Sequence, residues 1–269
     1  MNKHLFLATA VLCLLLASCN PKHLIETEQI SFTKSFCLTD ACNDSLSLSY
    51  EIEFPTLLDN KEALARIQQD IISRIFSDEY KNVPLQEAIN KYVAFSREEY
   101  MANNRAYAEK LRQEEDEFAA SLSEEQVTTG RVTWFGNCKT AGDICVLTYE
   151  LEQYVYMGGA HGVNTRMFFN YDTQTGRLLT ESDIFREGFE QPVARLLQNT
   201  LIEQSEEFHS RQDFLDAGFE FDSIHPNGNF ALTDDAVTYL FNPYEIAPYV
   251  YGETEITLDR SLIKDYLKK

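Results

Sequence analysis

The stretch YMGGAHGVNTRMFFNYDTQTGRLLTESDIF, residues 156–185, carries a cluster of glycines inside strand-like sequence. Glycine has no Cβ, so it permits a positive φ or a close approach of one backbone to another group. We therefore predict that Gly158, Gly159 and Gly162 form a structural turn at a sheet corner. The segment TQTG, which ends at Gly176, predicts the turn of the next hairpin.

On both sides of this stretch, predicted strands and helices are segregated along the chain rather than strictly alternating. Alternating apolar residues over 45–54 predict a strand that Pro55 ends, followed by a helix capped by Asp59 or Asn60. A long polar helical pattern runs from residue 84 to about 122; we expect it to dock on its own sheet, a coiled coil being the alternative. This order favours an α+β fold, a largely antiparallel sheet with packed helices in two adjoining modules. Further strands are predicted at 132–135, 144–157, 163–171, 178–179, 230–232, 236–241 and 255–258, and helices at 188–204 and 260–267.

The first residues predict export and a lipid anchor. Residues 1–18 contain Lys3 and a short apolar run, the layout of a secretory signal peptide. The run ends in Leu-Ala-Ser-Cys, which resembles a bacterial lipobox with Cys19 as the acyl acceptor; an ordinary signal peptide with an incidental cysteine is the alternative. We expect a lipoprotein of the cell envelope, held in the outer membrane through lipid on Cys19 and facing the periplasm.

The remaining chain is divided by composition and pattern into three segments. Residues 19–29 are predicted to be a tether, residues 30–126 an N-terminal α+β module with the long helix, and residues 127–269 a C-terminal α+β module.

The charge of the chain excludes one class of partner. The 269 residues carry a formal net charge of -20, and nucleic-acid binding requires a basic face. Spread-out acidity of this kind is typical of a solvated surface. Attraction to a cationic protein is the alternative function for it.

Four cysteines follow Cys19, an even number that suggests disulfides in an exported chain. Three pairings are possible, and the short loops CLTDAC and CKTAGDIC favour Cys37 with Cys42 and Cys138 with Cys145. A zinc site is the rival interpretation, but neither spacing is a Cys-x-x-Cys knuckle and no histidine is near in sequence. We predict no metal and no cofactor.

The search for catalytic motifs finds none of the familiar ones. The sequence has no His-Glu-x-x-His, no Gly-x-Ser-x-Gly and no phosphate-binding loop. His161 could serve as a base or a ligand, but a base needs an oriented partner, so we predict a structural or binding role. Asp234 and Asp235 lie between two predicted strands and are best explained as a hairpin turn. No catalytic residues are predicted.

Two segments resemble a known family of extracytoplasmic domains. YMGGAHG with FNYDTQTGRLLTESDIF, and FNPYEIAPY at 241–249 with Gly252, are similar to the RsiV-like and PdaC-like family. That family includes the sensor domain of a lysozyme-binding anti-sigma factor and the non-catalytic region of a peptidoglycan deacetylase. The resemblance implies an envelope binding domain without known chemistry of its own. It is loose before residue 130, and the membrane helix of the anti-sigma factors is not found, so direct sigma regulation is not expected.

The candidate ligand-binding residues are Tyr154, Tyr156, His161, Tyr244 and Tyr249. Tyrosines stack on sugars and anchor protein contacts at low entropy cost, although core packing explains each one equally well. We therefore expect a binding module for peptidoglycan or for a protein such as lysozyme. A cell-wall-modifying enzyme with an acid pair not visible in the sequence and a purely structural envelope protein are the alternatives.

Overall fold

The computed structural model describes residues 24–40, 42–114 and 122–268. The predicted signal peptide, residues 1–18, and the predicted lipidation site, Cys19, lie outside the described residues, and both stay predictions. None of the helices in the described ranges is long and apolar enough to cross a membrane.

The described residues form two sheets and several helices, which confirms the predicted α+β class. One sheet has five strands in the order β1-β2-β3-β4-β5, and the other has three in the order β6-β7-β8. The pairs β1–β2, β6–β7 and β7–β8 are antiparallel, whereas β2 and β3 run parallel. The strands are β1 Ile25–Cys37, β2 Ser45–Leu58, β3 Glu124–Cys138, β4 Ile144–Tyr156, β5 Val163–Asp172, β6 Phe230–Leu232, β7 Ala236–Phe241 and β8 Thr254–Asp259; the helices are α1 Lys61–Ile75, α2 Leu85–Glu114, α3 Glu181–Ile184, α4 Glu190–Gln204, α5 Arg211–Asp216 and α6 Arg260–Ile263.

The chain divides into two compact units, and each unit is made of two stretches that are separate in sequence. Unit 1 consists of the chain up to Arg131 together with Gln153–Val163, and unit 2 consists of Val132–Glu152 and Asn164–Lys269. Strand β1 begins at Ile25, inside the range that the sequence assigned to a tether. It forms there because its residues pair with β2, with one register shift between Glu26 and Thr27.

Strand β2 does not end at Pro55, contrary to the sequence prediction. The strand continues to Leu58, and Pro55 pairs with Thr27 beside a register shift, since Glu26 pairs with Leu57 and Thr56 of β2 is skipped. Proline is tolerated in a sheet at such bulges and where a ladder has no partner. The parallel pairing with β3 extends only to Ile52, so the missing N–H falls beyond that ladder.

Unit 1 is built on the antiparallel β1–β2 pair and on α1, which packs against β2. The rings of Phe32 and Tyr50 stack across the pair with centroids 4.7 Å apart. Helix α1 begins as predicted at Asn60, whose Oδ1 accepts hydrogen bonds from the Glu62 and Ala63 amides at 3.0 and 3.2 Å. The capping side chain satisfies amides that have no partner within the helix.

Unit 2 has a continuous apolar core formed by α4, the β6–β8 sheet and the aromatic residues around α5. Helix α4 packs on β8. The turn predicted at Asp234 and Asp235 is confirmed, since it joins the antiparallel pair β6–β7. The core includes the fully or almost fully buried Val146, Phe185, Val193, Leu197, Phe214, Phe221, Phe230, Leu232, Val237, Tyr239, Phe241, Ile256, Leu258 and Ile263.

The two cysteine pairs differ in the structure. Cys37 and Cys42 form the predicted disulfide. The predicted Cys138–Cys145 bond is wrong: both residues are buried thiols. The Cys138 thiol donates to the Thr233 carbonyl at 2.9 Å, and the Cys145 thiol donates to the Asn137 side chain at 3.1 Å, so each thiol is directed at its own acceptor. Burial raises the pKa of the Cys138 thiol to about 11, which suppresses the reactive thiolate.

Candidate binding surface

Strands β4 and β5 are joined by the glycine turn, residues 157–162, which lies in unit 1. Gly158 and Gly159 have φ angles of 83° and 99°, in the left-handed region that side chains with a Cβ rarely adopt. Gly162 serves another purpose, because a Cβ there would lie 2.4 Å from the ring of Tyr154. The turn therefore depends on glycine at these positions for two different physical reasons.

The other candidate residues of this region contact the turn itself. The Tyr156 hydroxyl donates to the Gly159 carbonyl at 3.0 Å. The exposed His161 places Nδ1 2.9 Å from the Gly162 carbonyl, and since a carbonyl only accepts, Nδ1 must carry the proton in this contact. The contacts of Tyr154, Tyr156 and His161 described here maintain the shape of the turn.

The remaining candidates lie in unit 2, on the C-terminal loop, residues 242–253, between β7 and β8. At its start, Asn242 Oδ1 accepts from the Arg166 amide at 2.7 Å and Asn242 Nδ2 donates to the Arg166 carbonyl at 3.1 Å. Asn229 continues this pattern: its Oδ1 accepts from the Phe168 amide and its Nδ2 donates to the Arg166 carbonyl, both at 2.9 Å. The two amide side chains thus take the place of a neighbouring strand along β5, an edge strand of its sheet.

The end of the loop is tied to the same residue of β5. The Arg166 guanidinium contacts the carboxylate of Glu253 at 3.1 Å and also that of Glu255. It lies over the Phe168 ring at 5.7 Å from the centroid, and the Arg166 side chain is only 14% exposed. Because Arg166 holds the loop at both ends, the residues between them sit on a fixed base.

Two tyrosines project from this fixed loop and stack on each other. Tyr244 is 62% exposed and Tyr249 is 37% exposed, with ring centroids 5.3 Å apart and planes inclined by 29°. Tyr244 has φ of 71°, an uncommon conformation for a residue with a side chain. Strain that persists at an exposed residue motivates a functional hypothesis for it, because no core packing requires it.

The exposed apolar area extends along the chain beyond this pair. Val250 is 82% exposed, and Tyr251 is 37% exposed while its ring also packs on Phe208 and Phe219. We call Tyr244, Tyr249, Val250 and Tyr251 the tyrosine surface. It combines an anchored side, at Tyr251, with a solvent-facing side, at Tyr244 and Val250.

Unit 2 also contains a carboxyl group that could take part in acid–base chemistry, Glu181. Across the described part of the chain, no group of three or more His, Cys, Asp or Glu side chains could hold a metal ion. Burial raises the pKa of the Glu181 carboxyl, while a hydrogen bond from the Gly228 amide, 3.0 Å from Oε1, opposes that rise. Glu181 lies near His225 and Tyr239, and burial followed by the Glu181 charge raises the pKa of the Tyr239 phenol. Sequence reasoning did not identify Glu181.

The sequence named Tyr244 and Tyr249 but missed the residues that hold them. Arg166 and Asn242 are 76 positions apart, and no local pattern signals their contact. The signal available was Asn242 itself, in the segment FNPYEIAPY at the start of a loop, where a side-chain amide commonly bonds to backbone.

The fold and the C-terminal loop agree with a family of known structures. Residues 182–261, which include β6 to β8 and the C-terminal loop, match the family model described as a protein of unknown function, DUF3298. A DUF3298 member from Bacteroides fragilis NCTC 9343 has a similar fold, with a TM-score of 0.82 and 21% identity over 92% of this chain and 95% of that one. A DUF3298 protein from Pseudomonas aeruginosa PAO1 gives a TM-score of 0.56 and 19% identity over 91% of this chain and 95% of that one.

One curated protein also resembles this chain in sequence. The peptidoglycan-N-acetylmuramic acid deacetylase PdaC of Bacillus subtilis (strain 168) is 31% identical over 121 residues. The match spans 44% of this chain and 25% of the deacetylase. A segment of the chain therefore matches the DUF3298 family model, and the chain is a distant, partial relative of PdaC.

Proposed function

We propose that this protein is a cell-envelope binding protein, anchored by lipid on Cys19, that recognises a cell-wall glycan without chemistry of its own. The observation that carries the proposal is the exposed, stacked pair of Tyr244 and Tyr249 on a loop fixed at both ends by Arg166.

The physical argument rests on preorganisation. An aromatic side chain buries a large area on a ligand and loses few rotamers, so exposed tyrosines are efficient anchors. A loop that is already ordered before binding avoids the entropy of ordering it afterwards. Asn242 and the contacts of Arg166 supply that order, and the stacked rings present an apolar surface of the kind that packs against the face of a sugar.

The partial similarity to PdaC supports the choice of ligand class. That relative is named for its action on peptidoglycan N-acetylmuramic acid. The part of it that resembles this chain is a quarter of its length, so the shared feature we infer is recognition of the polymer rather than the deacetylation.

Retention on purified peptidoglycan tests the proposal. The chain without residues 1–19 should sediment with insoluble peptidoglycan, and the Tyr244→Ala/Tyr249→Ala double variant should lose about tenfold or more in affinity, as removal of a hot spot does. Phe95→Ala is the matched control, because Phe95 is 52% exposed but lies on α2 in unit 1. Equal retention of all three folded proteins, or none for the unsubstituted chain, would contradict the proposal.

A protein ligand such as lysozyme is a second candidate, favoured by the formal net charge of -20. Diffuse attraction to a cationic protein weakens within about 8 Å at physiological salt, whereas a shaped interface with desolvated anchors persists. Binding to immobilised lysozyme that survives about 0.15 M salt and fails in the Tyr244→Ala/Tyr249→Ala variant would assign the tyrosine surface to a protein partner.

An enzyme is the alternative from another class, and Glu181 is the observation that favours it. A carboxyl with a raised pKa is suited to donate a proton. Incubation with peptidoglycan should then release reducing ends, peptides or acetate, and Glu181→Gln should abolish that release. Absence of all three products from the unsubstituted protein would remove this alternative.

A further inference from the structure

Unit 1 contains a cavity of about 500 Å³ that is separate from the tyrosine surface in sequence and belongs to the other unit. Its volume falls in the range of small-molecule sites, about 300–1,000 Å³. The cavity is lined by Cys37, Leu38, Thr39, Asp40, Arg97, Glu98, Met101 and Arg105.

One wall of the cavity is a single face of α2. Arg97, Met101 and Arg105 are spaced by four residues, and this spacing places side chains above one another on a helix. The Arg97 guanidinium lies over the Phe36 ring at 5.8 Å from the centroid, an arrangement that favours one orientation of a long side chain. Two guanidinium groups therefore flank an apolar methionine on this wall.

The opposite wall is the end of β1 and the loop that follows it. The Cys37–Cys42 disulfide closes this loop. Within it, the Leu38 amide donates to the Asp44 carbonyl at 2.9 Å and the Cys42 amide donates to the Thr39 carbonyl at 3.0 Å. The cross-link and the two bonds restrain the segment that carries Asp40.

The cavity is lined by both positively and negatively charged side chains, which form no ion pairs with one another in the described part of the chain. Arg97, Arg105, Asp40 and Glu98 all line it, and none of the four makes an ion pair with any side chain that the structure describes. Elsewhere in unit 1 exposed charges do pair, as Arg74 does with Asp70 and Lys91 with Glu87. Two cations and two anions held around a small cavity are complementary to a ligand that carries both an anionic and a cationic group.

We propose that this cavity binds a small zwitterion, namely an amino acid or the end of a short peptide. The planar guanidinium groups of Arg97 and Arg105 suit a carboxylate, which they bind through paired N–H donors. The carboxylates of Asp40 and Glu98 suit an ammonium group, and Met101 with Leu38 provides apolar contact for the ligand's side chain. This site goes beyond the proposed glycan recognition and does not depend on it, since it shares no residue with the tyrosine surface.

The test uses three dipeptide probes that differ in their charged ends. L-alanyl-L-alanine carries both groups, its N-acetyl form lacks the ammonium, and its C-terminal amide lacks the carboxylate. In a titration followed by protein NMR chemical shifts, the unblocked dipeptide should bind about tenfold or more tightly than either blocked form, because each loses a charge-assisted hydrogen bond. Free alanine distinguishes the two sources: binding equal to that of the dipeptide identifies an amino-acid site, and weaker binding identifies a peptide end.

Two pairs of variants assign the groups. Arg97→Gln and Arg105→Gln should each weaken the dipeptide about tenfold while leaving binding of the C-terminal amide unchanged. Asp40→Asn and Glu98→Gln should also weaken binding of the dipeptide, but they should leave binding of the N-acetyl form unchanged. Arg195→Gln, an exposed position on α4 in unit 2, is the control. Three results would each overturn the proposal: equal binding of all probes, no binding of the unblocked dipeptide, or wild-type binding by both arginine variants. Unchanged circular dichroism establishes that each variant is folded.

Discussion

The glycine turn of unit 1 and the C-terminal loop of unit 2 both contain residues that the sequence marked as candidate ligands, yet the two regions use them differently. In the turn, Tyr154 packs on Gly162 and the Tyr156 hydroxyl bonds to the Gly159 carbonyl. In the loop, polar side chains outside the tyrosines supply the order and leave Tyr244 largely exposed.

A conspicuous motif therefore does not by itself mark a binding site. The Gly-Gly-Ala-His-Gly segment draws attention because its composition is unusual, and that composition is explained by backbone geometry and close packing. The loop's sequence is less unusual, but its exposed rings have no equivalent explanation in core packing. Function is therefore better assigned to exposed side chains whose order is supplied by other residues.

Among the substitutions considered, Gly162→Ala in the glycine turn should lower the stability of the protein most. Gly162→Ala places a Cβ 2.4 Å from the Tyr154 ring, so either the ring or the backbone must move. We expect a loss of about 1–3 kcal/mol in the free energy of unfolding, the range for overpacking. Urea denaturation measures it.

A double-mutant cycle identifies the cause of that loss. In a Tyr154→Ala background the clash partner is absent, so Gly162→Ala should cost about 1 kcal/mol or less. An equal cost in both backgrounds would show that the Tyr154 ring is not the reason for glycine at position 162.

A second substitution, Asn242→Ala, should reduce the order of the C-terminal loop. Asn242→Ala removes the acceptor of the Arg166 amide and one donor to its carbonyl, and partly buried groups left without partners cost about 1–2 kcal/mol. Peptidoglycan retention should fall with it, because the tyrosines lose their fixed base. Asn242→Asp is the informative comparison, since it keeps the acceptor, replaces the donor by a second acceptor oxygen and adds a negative charge. If Asn242→Ala alters neither stability nor retention, the loop is ordered by other contacts.

A smaller effect separates stability from binding at Tyr244. Glycine at this position relieves the strain of φ 71°, whereas alanine keeps it. Both substitutions lose the stacking with Tyr249, so Tyr244→Gly should be more stable than Tyr244→Ala by about 1 kcal/mol. Both variants should nevertheless lose peptidoglycan retention. Retention by Tyr244→Gly would show that the ring is not the anchor.

The sequence predicted the secondary-structure elements better than it predicted the contacts between side chains. Periodicity located β6 and β7 to the residue, and capping residues narrowed the start of α1 to Asp59 or Asn60, because these signals are local. Helix α5 was missed because its six residues are too few to show a period, and it is held by the rings of Phe208, Phe214 and Phe219.

The errors concern interactions between residues distant in sequence. Loop length favoured a Cys138–Cys145 bond, but the direction of the Cys138 thiol is set by Thr233, which is 95 positions away. The candidate tyrosines could be named from composition, while the role of Arg166 depends on β7 and β8 folding back onto β5, which no local pattern predicts.

The weakest predicted effect is a pH dependence that separates the glycine turn from the segment at α3 in unit 2. In unit 2, Arg177 Nη1 lies 2.8 Å from Asp183 Oδ2, which also accepts from the Thr180 amide at 2.8 Å and from the Thr180 hydroxyl at 3.0 Å. The arginine contact first and the two Thr180 contacts next lower the pKa of Asp183 to about 2. The unfolded chain, with an Asp pKa of about 3.9, takes up the proton first as pH falls. The stabilisation from Asp183 is therefore complete above about pH 4 and is lost as pH falls through about 2. Asp183→Asn should lower the free energy of unfolding by less than about 1 kcal/mol near neutral pH, and it should flatten the rise of stability between about pH 2 and 4.

The cost of Gly162→Ala should stay constant over that pH window, because residues 153–163 contain no carboxyl group. Urea denaturation at several pH values measures both, and a parallel pH dependence of the two variants would refute the contrast between a turn held by packing and a segment held by charge.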